Sequence, residues 1–134
     1  MVKFHLSLLF VSFLVFRLNA QCPTGDVILN SQAAVDEFVA SYPNCTTLPG
    51  NLQIGLLNSS DADLSDLSII NEVEGDLHIG NNDGLSNLQG LNNITYVGGL
   101  VYIGFNDALT SLEGLNGLST VVEEVSLLLV LMCK

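Results

Sequence analysis

Val73–Tyr96 reads VEGDLHIGNNDGLSNLQGLNNITY and Val97–Thr120 reads VGGLVYIGFNDALTSLEGLNGLST, two consecutive stretches that align position for position without a gap. Gly75/Gly99, Leu77/Val101, Ile79/Ile103, Gly80/Gly104, Asp83/Asp107, Leu85/Leu109, Leu88/Leu112, Gly90/Gly114, Leu91/Leu115 and Ile94/Leu118 coincide. Self-similarity at a short fixed period is the signature of a repeat architecture, in which each unit is too thin to bury its own apolar row and stacks on its neighbours. Working outward, an earlier and less regular copy begins at Pro49: Gly50, Leu52, Ile54 and Gly55 match Gly75, Leu77, Ile79 and Gly80. There Leu64-Ser65-Asp66-Leu67 resembles Leu85-Ser86-Asn87-Leu88, which implies a longer corner, LLNSSDAD, and a shorter second side.

Within each copy the apolar residues first stand two apart, the period of a strand with one buried face. Leu52 and Ile54, Leu77 and Ile79, and Val101 and Ile103 are expected to point inward, and Gln53, His78 and Tyr102 outward. After the Asn-Asp corner, Leu85, Leu88, Leu91, Ile94 and Val97 recur every three residues. That spacing drifts around an α-helix, so it predicts straight polygonal sides. The fold class expected is mainly β: a short right-handed parallel β-helix, or leucine-rich-repeat-like solenoid.

The N-terminal region differs. MVKFHLSLLFVSFLVFRLNA has an early lysine, an apolar stretch from Leu6 to Leu18 and a small residue, Ala20, before Gln21, the pattern of a cleaved signal peptide. Interrupted by Arg17, that stretch falls short of the roughly 20 apolar residues of a membrane span. The mature chain, Gln21–Lys134, then has no membrane span and keeps one lysine against 14 acidic residues, a formal charge of −13. Such a surface repels nucleic acid and anionic lipid. SQAAVDEFVASY carries Ser31 as N-cap, apolar Ala34, Val35, Phe38 and Val39, and Pro43 beyond its end, which predicts a short amphipathic helix covering the first coil. Cys22 and Cys45 flank it in an exported chain and are paired as a disulfide, a closure of about 3 kcal/mol in the chain-entropy model. Cys133 is left over. The expected organisation is a leader (1–20), a disulfide-pinned cap (21–48), repeats (49–121) and an atypical tail (122–134).

CPTGDVILNSQAAVDEFVASYPNCTTLPGNLQIG, followed by copies of G-x-L-x-I-G-x-N-D-x-L-x-x-L-x-G-L-x-x-I-x-x-V, resembles the receptor L-domain, a leucine-rich-repeat-like module of receptor ectodomains and secreted bacterial repeat proteins. The resemblance covers roughly Cys22–Val121. It implies a right-handed solenoid and extracellular recognition, with no catalytic residue to carry over. After Val121 the chain departs from the pattern and reads VEEVSLLLVLMCK. Two readings account for this: a real apolar tail packing on the last coil, or a frameshifted end, since a one-base shift near Val122 allows a Gly-Gly-x-Leu-x-Ile continuation.

The outward row Gln53, His78 and Tyr102 joins hydrogen-bonding groups to aromatic area and is the ligand-face candidate. Asp61, Asp63 and Asp66 form the densest acidic loop and are the calcium candidates, although calcium wants six or more oxygens and a solvated loop is the plainer reading. Asn81-Asn82-Asp83 and Phe105-Asn106-Asp107 are read as corner groups that satisfy backbone. No cofactor is expected. Asn44, Asn58 and Asn93 head N-glycosylation sequons. The functional expectation is a secreted or cell-surface binding or adhesion module, not an enzyme, that recognises a protein, peptide or glycan through one face and associates with itself through its distal end. The alternatives are a polysaccharide-active β-helix enzyme, which requires paired carboxylates where only Asp76 stands on the strand rows, and a truncated fragment without independent function.

Overall fold

A two-residue apolar period too short for a helix becomes, in each repeat, a strand that pairs with its copy. The computed structural model describes residues 22–128; the leader, Cys133 and the end of the tail lie outside them. One parallel sheet contains, in order, β1 (Val27–Leu29), β3 (Leu52–Gly55), β5 (Leu77–Gly80), β7 (Val101–Gly104) and β9 (Val125–Leu128). A second is built from β2 (Thr47–Leu48), β4 (Glu72–Val73), β6 (Tyr96–Val97) and β8 (Thr120–Val121). The chain alternates between the two, so every strand pairs with its equivalent one repeat away. The architecture is mainly β, with one helix, α1 (Gln32–Ser41). β1 and β2 come from residues 21–48 and β9 from residues 122–134, so the sheets extend into both flanking segments.

The register is that of the repeat: Leu52, Leu77 and Val101 stand beside one another, as do Ile54, Ile79 and Ile103. All six are at most 2% exposed and join one continuous apolar core. The residues spaced by three do not form straight sides. They carry successive i→i+3 hydrogen bonds, Leu67 N–H to Leu64 C=O and Ile70 N–H to Leu67 C=O, repeated at Leu88-Leu91-Ile94 and Leu112-Leu115-Leu118. Ser65–Ile69 and Glu113–Leu115 are 3-10 helices, in which side chains at i and i+3 eclipse, so the row stays on the core side where an α-helix would rotate it away; the middle repeat makes the same bonds in separate turns, with Gly90 at φ 105° inside the first. The same bonds correct the match proposed for the first repeat: Leu64 is equivalent to Leu88, not Leu85. Leu52 of β3 pairs with Leu77, whereas Glu72 of β4 pairs with Tyr96, a step shorter by one position. The first repeat therefore carries a single additional residue, placed in its corner, and its second side is full length.

A pair of asparagines turns the second and third corners from strand to the turns that follow. Asn82 Oδ1 accepts the Leu57 N–H at 3.0 Å, and its Nδ2 donates to Ile54 C=O at 3.1 Å and to Asn106 Oδ1 at 2.8 Å. Asn106 in turn donates to Ile79 C=O at 3.0 Å. Both amides are buried and hold the corners of adjacent repeats together. A second row opens each of these turn segments: Asp63, Asn87 and Ser111, at equivalent positions of successive repeats, accept the N–H of Ser65, Gln89 and Glu113 at 2.8, 2.9 and 3.1 Å.

Ser31 caps α1 through Oγ on the Ala34 N–H, and Val35 and Phe38 are buried in the shared core. Gln32 clamps the backbone of Asp63 in both directions, accepting its N–H at 2.8 Å and donating to its C=O at 2.9 Å. Cys22 and Cys45 are disulfide-bonded. The helix is thus tied covalently at its base and by hydrogen bonds to the first corner.

Candidate outward face of the five-stranded sheet

Strand alternation that buries Leu77 and Ile79 turns the residue between them to the opposite side of the sheet. Ile28, Gln53, His78, Tyr102 and Ser126 accordingly form one row across all five strands. The structure brings the three ligand-face residues of the sequence reading together, and adds Ile28 and Ser126 at either end. Ile28 was missed because β1 precedes the recognisable repeats, and Ser126 because the tail departs from the pattern.

His78 and Tyr102 stack, with ring centroids 4.4 Å apart and planes at 28°. The separation is close to the strand spacing of about 4.8 Å, so the rings stand face to face along the row. Gly80 permits this. A Cβ there would approach His78 Nε2 to 3.0 Å, and the imidazole would have to give by a few tenths of an ångström.

Two positions before each member of the row is a second, hydrogen-bonded row. Asp26 Oδ1 accepts the Asn51 N–H at 2.9 Å, Asn51 Oδ1 that of Asp76 at 2.7 Å, and Asp76 Oδ1 that of Leu100 at 2.9 Å. Asp26 therefore joins Asp76 in this row, with Asn51 between them; the sequence reading placed Asp76 there alone. On the far side the chain turns through Leu56, Asn81 and Phe105, at φ of 60°, 58° and 55°. Asn visits the left-handed region readily, whereas Leu and Phe do so at a cost of about 1–2 kcal/mol each. Leu56 and Phe105 are nevertheless 59% and 49% exposed, so core packing does not repay that strain.

Asp61, Asp63 and Asp66 do not converge: among the described residues no group of three or more His, Cys, Asp or Glu is placed to hold a metal ion. Asp63 serves the backbone, and its bonds from Ser65 hold its carboxyl below the usual value of 3.8. Asn44, Asn58 and Asn93 are exposed, with the Asn93 amide donating to Ser68 C=O at 2.7 Å. An open cleft of about 290 Å³ lies between α1 and β1, lined by Ile28, Phe38 and Tyr42 and by the acidic Asp26 and Glu37. No helix among the described residues is long and apolar enough to cross a membrane.

These features define a parallel-β repeat protein with a disulfide-bonded helical start and one polar, partly aromatic sheet face. Residues 44–127 match the family model of the receptor L domain, and the chain belongs to that family. A search of the curated proteins and one of the solved structures each returned no match.

Proposed function

We propose that the chain is a secreted or cell-surface binding module without catalytic activity. In this reading the two sheets are the sides of a short right-handed β-helical solenoid, α1 covers its first coil, and the leader directs export. The outward row centred on Gln53, His78 and Tyr102 recognises a protein, peptide or glycan. The carrying observation is the His78–Tyr102 stack on the side of the sheet opposite the core. The exposed, strained Leu56 and Phe105 beside it add apolar area that the core does not use. Membership of a receptor family and a disulfide, which persists in oxidising compartments, support placement outside the cytosol.

Arrays of extracellular proteins, peptides and glycans probed with the secreted chain test this. Binding is expected to be lost in a His78→Ala/Tyr102→Ala variant and kept in Glu72→Ala, on the other sheet. Equal binding by the two variants, or none by the parent chain, refutes the reading. Turnover of a polysaccharide by the parent chain would favour the enzymatic alternative, with Asp26 and Asp76 as the residues to replace.

A further inference from the structure

The row of the aromatic stack has an unfilled place. His78, on β5, covers one face of the Tyr102 ring. The opposite face looks along the row toward β9, where the next residue is Ser126. Serine is small, so among the described members of the row a planar group lying against that face of Tyr102 meets no side chain of comparable size. Glu124 lies two positions before Ser126, which strand alternation puts on the same side of the sheet, and is exposed.

The charge of the molecule selects what enters. Between Cys22 and Leu128 there is no lysine and no arginine, against 14 acidic residues. An anionic group is repelled from every side, and a neutral ring gains nothing from Glu124. A planar cation gains from both neighbours, stacking on the ring and pairing with the carboxylate. Guanidinium is planar and weakly hydrated; an ammonium matches the carboxylate but not the flat slot.

We propose that the place over Ser126, between the open face of Tyr102 and the Glu124 carboxylate, binds an arginine side chain presented by a basic partner protein. This rests on the outward face being the recognition surface and names the chemistry it selects. The guanidinium continues the stack as a third planar layer after His78 and Tyr102.

The test uses two fluorescent peptides of alternating glycine with arginine or with lysine, titrated into the secreted full chain at low ionic strength and followed by anisotropy. The arginine peptide is expected to bind about three-fold tighter or more, the margin an exposed cation–π contact provides. Tyr102→Leu brings the two affinities together. Ser126→Phe, which fills the place without altering charge, does the same and guards against a misfolded Tyr102 variant. Tyr96→Leu, on the second sheet, keeps the preference. Equal affinities in the parent chain, or a preference that survives Ser126→Phe, overturn the proposal. If array binding still depends on His78 and Tyr102 while no arginine preference exists, only this inference falls. If neither is found, the recognition reading falls with it.

Discussion

At the scale of single residues, the corners show how the same position is solved differently in successive repeats. Asn82 ties Leu57 N–H, Ile54 C=O and Asn106 together from a buried site, whereas the equivalent place in the first repeat is held by Leu57 itself. Leucine is tolerated there because its backbone N–H is satisfied by the next repeat. At position 82 it would leave buried backbone groups without partners. Asn82→Leu is expected to lower the unfolding free energy by about 3 kcal/mol, read by urea titration. The left-handed corner makes the opposite prediction. Phe105→Asn relieves a bulky residue at φ 55° and is expected to stabilise by about 1 kcal/mol in the same titration, while weakening partner binding on the arrays. Asp63 supplies a pH test. Its folded pKa is depressed by the bonds from Ser65, so its contribution is present above 3.8 and is lost as pH falls from there through the folded value. Asp63→Asn, which copies Asn87 of the next repeat, is expected to keep the turn and to flatten the acid limb of a pH-dependent thermal melt.

At the scale of elements, α1 depends on attachments more than on its own propensity. It is ten residues long, below what holds together alone in water, and its buried face is chiefly Val35 and Phe38. The disulfide, the Ser31 cap and the Gln32 clamp on Asp63 make up the difference. A Cys22→Ala/Cys45→Ala variant is expected to lose about 3 kcal/mol, with amide exchange rising first in α1 and β1. The helix was legible because its cap and periodicity are local signals. The three-residue spacing was misread as straight sides, because spacing alone reports which residues share a face and not which hydrogen bonds put them there. The first repeat was misaligned for a related reason: one extra corner residue moves every later match, and only the hydrogen-bonded register shows where it sits.

At the scale of the whole molecule, each strand pairs only with its equivalents in adjacent repeats, and the surroundings of the outermost strands of the five-stranded sheet, β1 and β9, differ. At the first, α1 contributes Val35 and Phe38 to the shared core. At the other, Val125 and Leu127 are 49% and 41% exposed, and alternation of the parallel ladder turns their backbone N–H and C=O groups away from β7. Among the described residues no strand pairs with that side of β9, and a strand edge of this kind is a template for another chain. Gln21–Lys134 is expected to show concentration-dependent association by sedimentation, reduced by Leu127→Lys; a monomer at all concentrations would contradict this. What the sequence by itself determined is periodic or local: the repeat, the inward and outward residues of the strands, the capped helix and the pairing of Cys22 with Cys45. Those features depend on alternation, spacing and capping chemistry, which are written along the chain. The tertiary structure alone decided which residues become neighbours between repeats: the stack of His78 on Tyr102, the entry of Asp26 into the row of Asp76, and the place over Ser126. Such contacts depend on register between strands a full repeat apart in the chain, and a single corner residue is enough to change it.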